Sequence, residues 1–210
     1  MALSDARVDG EKRTLLETDV AHDPFRQFRS WFDEALIIPD ANAMTLATAT
    51  RDGKVSARIV LLKSFDDQGF SFYTNYDSRK GEQLAENPNA ALVFFWQPLE
   101  RQVRIEGTVS KMSAQEADAY FHTRPIGSQL GALASPQSKT IPNREFLEAR
   151  FKEIEKQHSN GIIPRPTHWG GYRLAAHTIE FWQGRQSRLH DRILYSRVDD
   201  GSWKRERLAP

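Results

Sequence analysis

The sequence has no cysteine among its 210 residues and no long apolar run. The first absence excludes disulfide bonds, thiolate nucleophiles and cysteine-ligated metal sites. The second leaves no candidate for a membrane helix, which needs about 18 consecutive apolar residues, and the first ten residues lack the apolar centre of a secretory signal. We therefore expect a cytoplasmic protein.

The charges are nearly balanced, because 29 lysine and arginine residues face 28 aspartate and glutamate residues, for a formal net charge of +1. Such a chain has too little excess positive charge to hold nucleic acid by neutralising many phosphates. The hydrophobic share of 39% and the charged share of 27% are typical of one globular domain. Any anion must therefore be bound by local clusters of arginine and lysine.

Several familiar motifs are also missing. The sequence contains neither of the glycine-rich patterns G-x-G-x-x-G and G-x-x-x-x-G-K-[ST], and it has no G-x-S-x-G nucleophile elbow. Its six histidines show no H-E-x-x-H and no other paired spacing, so we predict no metal site. The chemistry is expected to depend on a bound organic cofactor or on none.

The remaining pattern predicts an α+β protein. We interpret residues 1–22, which are polar and lack periodicity, as a mobile arm, and residues 23–210 as one domain. Asp23 and Pro24 are an N-cap and a first helical residue, and Ser113 and Glu116 form a capping box. Helices inserted between antiparallel strands favour a small barrel. One predicted helix starts at residue 24, and three more cover residues 78–87, 113–124 and 143–158. The predicted strands cover residues 43–50, 55–63, 69–74, 89–96, 101–112, 169–175, 178–183, 192–197 and 202–208.

The most informative stretch ends in Arg188, His190 and Arg192. In an extended chain these three side chains point to one face, because alternate residues share a side of a strand. Two guanidinium groups beside an imidazole suit a doubly charged anion that also carries a hydrogen-bonding ring. A solvated hairpin rim is the alternative, but two cations on one strand face repel each other unless an anion lies between them.

A second cluster combines Arg58 and Lys63, at the ends of an apolar strand, with Arg79 and Lys80 in the first turn of a helix that Ser78 caps. Free backbone N–H groups and the helix dipole favour phosphate at such a turn. An ordinary exposed helix start is the alternative for Arg79 and Lys80. The odd spacing places Arg58 and Lys63 on opposite faces of an ideal strand, so we predict a bulge between them or two separate targets.

A third cluster lies on the helix after the capping box. Tyr120 and Arg124 are four residues apart and share one face, with Ser128 just beyond. An aromatic ring, a guanidinium and a hydroxyl suit a phosphorylated ring, although an ordinary surface helix is the alternative. Neutral donors of the kind that bind a flavin edge or its ribityl chain are Gln102, Gln137 and Ser138.

Together these stretches resemble the pyridoxamine 5'-phosphate oxidase family. The resemblance runs in order over residues 23–210, and its most specific part is the pattern E-F-W-Q-x4-R-L-H-D-R over residues 180–192. It implies a split β-barrel that forms a homodimer, with FMN bound at the subunit interface. The stretches that carry it are Arg58–Lys63, Phe72–Asn75, Ser78–Lys80, Glu100–Val103, Ile179–Arg192 and the closing Arg207–Pro210.

The resemblance also implies roles for individual residues. Arg188 and His190 would lie over the pyridine ring of the substrate as the catalytic residues. FMN would be bound by Arg58, Ile59, Val60, Leu61, Leu62, Lys63, Tyr73, Thr74, Arg79, Lys80, Gln102, Gln137, Ser138, Trp182 and Arg192. The substrate would be bound by Lys63, Tyr120, Arg124, Ser128, Arg188, Leu189 and His190.

One feature of the family is not carried over. Some members cover the substrate with an N-terminal arm that contains arginine and tyrosine. Here no tyrosine precedes Tyr73, although Arg7 and Arg13 are present. A lid role for residues 1–22 is therefore not assigned.

The activity implied by the resemblance is the oxidation of pyridoxamine 5'-phosphate and pyridoxine 5'-phosphate to pyridoxal 5'-phosphate, the last step of its biosynthesis or salvage. The substrate would lose a hydride to FMN, and O2 would reoxidise the flavin to give H2O2, with ammonia released from the amine. No nucleic-acid or membrane partner is expected. Three alternatives stay open: a flavin oxidase for another ring such as a phenazine precursor, a non-catalytic flavin-binding module, and a barrel that binds single-stranded nucleic acid through Phe94, Phe95 and Trp96.

Overall fold

A computed structural model describes residues 13–159 and 161–210, which form one nine-stranded sheet and five α-helices. This α+β architecture confirms the predicted fold class. The strands are β1 (Ala43–Ala49), β2 (Val55–Leu61), β3 (Ser64–Asp66), β4 (Gly69–Asn75), β5 (Asn89–Trp96), β6 (Arg101–Lys111), β7 (Trp169–Gln183), β8 (Asp191–Arg197) and β9 (Trp203–Leu208). The helices are α1 (Pro24–Ala35), α2 (Arg79–Glu86), α3 (Ala114–Thr123), α4 (Ile126–Ala134) and α5 (Arg144–Gln157).

The sheet curls around its longest strand, β7. All neighbouring strands are antiparallel, in the order β2-β1-β5-β6-β7-β4-β3. The first part of β7 pairs with β4 and its second part pairs with β8, which in turn pairs with β9. Because two different partners follow one another along the same edge of β7, the sheet divides there into two curved halves.

We predicted two strands where β7 is continuous, and this prediction was wrong. The pairing of β7 with β6 shifts register between Glu106 and Gly107, so a bulge absorbs the irregularity without interrupting the strand. A side chain at Gly107 would collide with the carbonyl oxygen of Ala175. The glycine therefore permits the close approach of the two strands.

Helix α1 covers one side of the core. Asp23 accepts a hydrogen bond from the backbone N–H of Arg26, and Pro24 is the first helical residue, as predicted. The ring of Phe28 lies 5.0 Å from that of Phe70 in β4. Burial of each such side chain stabilises the fold by about 1.5–3 kcal/mol.

Strand β5 contributes its aromatic residues unequally to this core. Phe94 and Trp96 are buried, and only Phe95 between them is exposed. Because two of the three rings are inaccessible, they cannot form the stacking platform that single-stranded nucleic acid requires. The nucleic-acid alternative therefore loses its main support.

Some element boundaries differ from the prediction. Strand β2 ends at Leu61 instead of reaching Lys63, and the short strand β3 follows it. Helix α4 was missed, because its N-cap Pro125 makes no side-chain capping bond and gives no start signal. It is held instead by tertiary burial of Leu130 and Ala134.

Residues 13–22 lie against β8 and β9. Leu15 and Val20 are buried, the backbone N–H of Leu15 donates to Asp191, and Glu17 accepts two hydrogen bonds from Arg207. These contacts hold residues 13–22 against the sheet and do not support a mobile arm there. The prediction rested on the polar composition of the segment, which concealed the two apolar side chains that anchor it. The predicted arm residue Arg7 lies outside the described residues.

Among the described helices, none has the length and apolar character needed to cross a membrane.

Candidate active site

A cleft of about 1040 Å³ opens between β2, β4 and helices α2, α3 and α4. Five cationic side chains and no carboxylate line it within the described part of the chain: Arg58, Lys63, Arg79, Lys80 and Arg124. The cleft thus brings the second and third predicted clusters together. The other predicted site residues that line it are Ile59, Val60, Leu61, Tyr73, Thr74, Tyr120, Ser128, Gln137 and Ser138.

The end of β2 explains how Arg58 and Lys63 reach the same cleft. Arg58 lies within the strand, whereas Lys63 lies in the connection to β3, where strand alternation no longer applies. The register of β2 with β1 is unbroken, so the predicted bulge was wrong. The other alternative, that Arg58 and Lys63 have two separate targets, stays a prediction. Leu62, which we predicted to contact the cofactor, is buried in the core and does not line the cleft.

Lys80 is the most buried of the five cations, with 8% of its surface exposed. Its ammonium donates to the hydroxyls of Thr74 and Ser78, at 3.1 and 3.3 Å, and to the amide oxygen of Gln137 at 3.3 Å. Burial lowers the pKa of Lys80, and the nearby Arg58 lowers it further. Since all its partners are neutral, its charge remains available to an anion.

Arg58 lies in a similar environment. Burial lowers the pKa of its guanidinium, and the positive charge of Arg79 adds to the effect. Arginine nevertheless remains protonated in proteins. The lowered pKa therefore reflects a charge that is partly buried and lies near a second positive charge, and a bound anion would offset both effects.

A second group of lining residues is aromatic. Tyr73 stacks on Tyr120 at 3.9 Å and on Trp169 at 5.5 Å between ring centroids. The guanidinium of Arg124 lies 4.5 Å from the Trp169 ring, and the ammonium of Lys63 lies 5.9 Å from the Tyr120 ring. Burial lowers the pKa of Arg124, whose Nη1 atom is buried and has no hydrogen-bond partner in the part of the chain that the structure describes. Because such an orphaned donor is costly, this position also fits an anion.

Trp169 was missed by the sequence analysis. It begins β7 after a proline-rich turn, and an apolar residue at a strand start is most simply read as core. Its stacking on Tyr73 and contact with Arg124 depend on tertiary packing, which no local pattern reports.

The turn between β7 and β8 carries Arg188, Leu189 and His190, and none of them lines the cleft of its own chain. Ser187 and Arg188 have positive φ angles of 56° and 59°, and β8 begins only at Asp191. The prediction of an extended strand with Arg188, His190 and Arg192 on one face was therefore wrong. Arg188 and Leu189 are instead exposed at the tip of a tight turn.

Arg192 has a carboxylate partner. Its Nε and Nη2 atoms each donate to Glu180 at 3.0 Å, and these hydrogen bonds raise the pKa of Arg192. The repulsion from Arg188 that we used to argue for an anion at this strand does not arise. Arg192 neutralises Glu180 instead.

Three predicted cofactor-binding residues lie in one row across the sheet. Gln102 pairs with Trp182, and Trp182 pairs with Arg192. Directly opposed residues share a face, so these side chains project together from β6, β7 and β8. The ring of His190 lies 4.6 Å from that of Trp182, and its Nδ1 accepts the backbone N–H of Arg185 at 3.1 Å. The predicted site residues thus form two separate groups in one chain.

The cleft has the donor set that FMN and a phosphorylated substrate need. Arg58, Arg79 and Lys80 suit one phosphate dianion, while Arg124 and Lys63 suit another. Neutral hydrogen-bonding groups from Thr74, Gln137 and Ser138 lie beside them. The residues present therefore fit the cofactor that the resemblance implied.

Comparison with known families gives two matches. Residues 34–158 match the family described as pyridoxamine 5'-phosphate oxidase, and residues 169–210 match the pyridoxine 5'-phosphate oxidase C-terminal dimerisation region. The pyridoxine/pyridoxamine 5'-phosphate oxidase of Nostoc punctiforme is 59% identical over 210 residues, which cover 99% of this chain and 98% of that protein. The protein of the same name from Bordetella petrii is 58% identical over 212 residues, covering 100% of both.

Solved structures show the same architecture. PhzG from Burkholderia lata, in complex with tetrahydrophenazine-1-carboxylic acid, superimposes with a TM-score of 0.87 at 32% identity, over 94% of this chain and 98% of that one. A pyridoxamine 5'-phosphate oxidase-related, FMN-binding protein from Nostoc punctiforme gives a TM-score of 0.74 at 17% identity, over 91% of this chain and 100% of that one. The second likeness concerns the fold alone.

Proposed function

Because the chain belongs to the pyridoxamine 5'-phosphate oxidase family, we propose that it oxidises pyridoxamine 5'-phosphate and pyridoxine 5'-phosphate to pyridoxal 5'-phosphate. The family is FMN-dependent. The observation that carries the proposal is the cleft itself, which five cations and, among residues 13–159 and 161–210, no carboxylate line. A cofactor and a substrate that each carry a dianionic phosphate account for this excess of positive charge in a chain of net charge +1.

We assign the FMN phosphate to Arg58, Arg79 and Lys80, with Ser138 nearby. The first turn of α2 adds backbone N–H groups, which favour phosphate. When bound, FMN supplies a ring that accepts a hydride from the substrate's C4' carbon and that O2 reoxidises, with formation of H2O2. The alcohol yields the aldehyde directly, and the amine yields it after hydrolysis by water, which releases ammonia.

We assign the substrate phosphate to Lys63, Tyr120, Arg124 and Ser128. Each close pair of unit charges contributes on the order of 4 kcal/mol of Coulomb energy at an effective dielectric constant of about 20, before desolvation is subtracted. An anion here would also give the buried Nη1 of Arg124 a partner. These residues bind and place the substrate.

Arg188 and His190 are assigned to the pyridine ring. The Nδ1 atom of His190 accepts a backbone N–H, so the proton of the neutral imidazole lies on Nε2. His190 therefore offers a hydrogen-bond donor to the ligand instead of a base. We infer that it orients the ring together with the exposed guanidinium of Arg188.

We also propose a homodimer in which the β7–β8 turn of one copy completes the cleft of the other. The match of residues 169–210 to a dimerisation region supports this arrangement. So does the position of the turn, which does not line the cleft of its own chain and exposes the apolar Leu189. The cytoplasmic location stays a prediction.

A ring oxidase of the PhzG kind is the second candidate, because that protein is 32% identical over 94% of this chain. The compound bound to PhzG is a carboxylic acid. Such a ligand carries no phosphate dianion, and it would leave one of the two cationic groups in the cleft poorly compensated. The pyridoxine-type substrate is therefore favoured.

Absorption spectroscopy separates these readings. The purified protein is expected to show a bound flavin spectrum, and pyridoxamine 5'-phosphate added without oxygen should bleach it. Admission of oxygen should restore the colour. Bleaching by tetrahydrophenazine-1-carboxylic acid alone would select the second candidate, and a flavin that neither compound bleaches would indicate a non-catalytic flavin-binding module.

A further inference from the structure

A small polar cluster lies behind Arg58, and nothing in the assignment above uses it. We name it the platform, and it consists of Thr48 in β1, Ser56 in β2 and Gln83 in α2. Thr48 and Gln83 are almost fully buried, with 2% and 3% of their surfaces exposed. Thr48 pairs directly with Ser56 across the two strands, so their hydroxyls face the same side.

Hydrogen bonds in this cluster run in one direction. Arg58 donates through Nη1 to the hydroxyl of Thr48 and through Nη2 to that of Ser56, each at 2.6 Å. Each hydroxyl then has one proton left to donate. Both donate to the Oε1 atom of Gln83, at 2.6 and 2.7 Å. The same oxygen also accepts from Nη2 of Arg58 at 3.5 Å, so the amide presents its oxygen to this cluster. Its Nε2 atom is buried without a partner among the described residues.

A neutral acceptor at this position has a specific consequence. A carboxylate in place of the amide would pair with Arg58 and compete with any phosphate for its charge. The neutral amide of Gln83 fixes the two hydroxyls and, with them, the guanidinium, while the positive charge stays uncompensated. The unpartnered Nε2 is unfavourable for stability. A side chain that is held in place even though the arrangement lowers the stability of the fold is typical of a binding site.

From this geometry we infer that Gln83 is a positioning residue, which holds Arg58 in place for the phosphate of FMN through Thr48 and Ser56 and through its own longer contact with the guanidinium. The inference rests on the proposed function, since it concerns the same cofactor. It adds a residue that does not line the cleft. It also predicts that the effect of Gln83 depends on the phosphate group and not on the flavin ring.

Gln83→Met tests this dependence, because it preserves the length of the side chain and removes the acceptor. The apoprotein is titrated with FMN and with riboflavin, which has the same ring system without the phosphate, and quenching of flavin fluorescence gives both Kd values. The Kd for FMN should rise about tenfold, as expected for a disrupted buried hydrogen-bond network. The Kd for riboflavin should change less than about twofold. An equal rise in the Kd values for FMN and riboflavin, or an unchanged Kd for FMN, would overturn the inference.

Two further variants sharpen the test. In an Arg58→Lys background, Gln83→Met should have little additional effect on FMN, because no guanidinium remains to be held, and full additivity would contradict the inference. Gln157→Met makes the same substitution at an exposed position of α5 and should leave both Kd values unchanged. If Gln83→Met does not fold, Thr48→Val removes one hydroxyl and should still weaken FMN more than riboflavin; equal weakening would again overturn the inference.

The failure of this inference is distinguishable from the failure of the proposed function. If the unmodified chain does not bind FMN, or if Arg58→Lys leaves the Kd for FMN unchanged, then the cofactor site itself is wrongly assigned. If the unmodified chain binds FMN, Arg58→Lys weakens that binding and only Gln83→Met has no effect, then the platform alone is wrongly interpreted.

Discussion

The cleft and the β7–β8 turn present their arginines in opposite ways. In the cleft, Arg58 and Arg124 are half-buried among neutral or aromatic partners, and burial lowers their pKa values. Near the turn, Arg192 is neutralised by Glu180 and Arg188 is exposed to solvent. Uncompensated positive charge is thus stored in the cleft, where phosphates are expected to bind. The turn contributes directional contacts, which are expected to orient the reacting ring.

The largest expected effect is that of Arg188→Ala. If the turn orients the substrate, kcat/KM for pyridoxamine 5'-phosphate should fall about 100-fold or more, because misplacement of the reacting atoms alone can lower the rate that much. The Kd for FMN should be nearly unchanged. Steady-state kinetics and a flavin titration on the same preparation check both values. Near-normal kinetics would show that the β7–β8 turn does not orient the substrate.

Arg79→Ala should have the reverse pattern. Loss of one charged hydrogen-bond donor to the FMN phosphate should raise the Kd for FMN about 10- to 100-fold, while kcat at saturating FMN should stay close to that of the unmodified protein. Arg144→Ala, at an exposed arginine of α5, is the matched control and should change neither value. A fall in kcat without a change in FMN affinity would show that the two regions do not divide their tasks as proposed.

Trp169→Leu sharpens the assignment of the aromatic group. The substitution removes the ring under Arg124, and a cation–π contact of this kind contributes about 0.5–2 kcal/mol. KM for the phosphorylated substrate should rise roughly 2- to 30-fold, with a smaller change in kcat. If instead FMN affinity alone fell, the assignment of Arg124 to the substrate phosphate would be wrong.

Glu17→Gln should have the smallest effect, and it depends on pH. Hydrogen bonds from Arg207 lower the pKa of Glu17 from 4.5 to about 2. Because the folded-state pKa is depressed, the contribution of Glu17 to stability is complete above the unfolded-state value and is lost as the pH falls towards 2. The difference in thermal midpoint between the unmodified protein and Glu17→Gln should therefore shrink between pH 5 and pH 2. A difference that stays constant over this range would show that the ion pair does not hold residues 13–22 to β9.

Much of the fold could be predicted from local signals. The Asp23–Pro24 start of α1, the capping box at Ser113 and the strand over residues 89–96 depend on short-range chemistry, and all three are present. The clusters around Arg58 and Tyr120 were also predictable, because the elements that carry them are regular. Their convergence in one cleft came from the family resemblance and not from spacing.

The turn could not be predicted in the same way. Ser187 and Arg188 adopt a left-handed conformation without the glycine that normally announces it, so strand periodicity was extended too far. The partner of Arg192 is Glu180, twelve residues earlier, which becomes a neighbour only through the β7–β8 register. The contact of Trp169 with Arg124 depends likewise on tertiary packing.

Our central claim is that the cleft of one copy and the turn of another form one active site. To test it, differently tagged Arg79→Ala and Arg188→Ala chains are co-expressed and the mixed dimer is isolated. Its activity is measured at an FMN concentration that does not saturate the Arg79→Ala cleft. The mixed dimer contains one site with both defects and one with neither, so it should have about half the activity of the unmodified dimer, whereas each single-variant dimer is impaired. If the mixed dimer is no more active than the average of the two variant dimers, then each site is built within one chain and the account is contradicted.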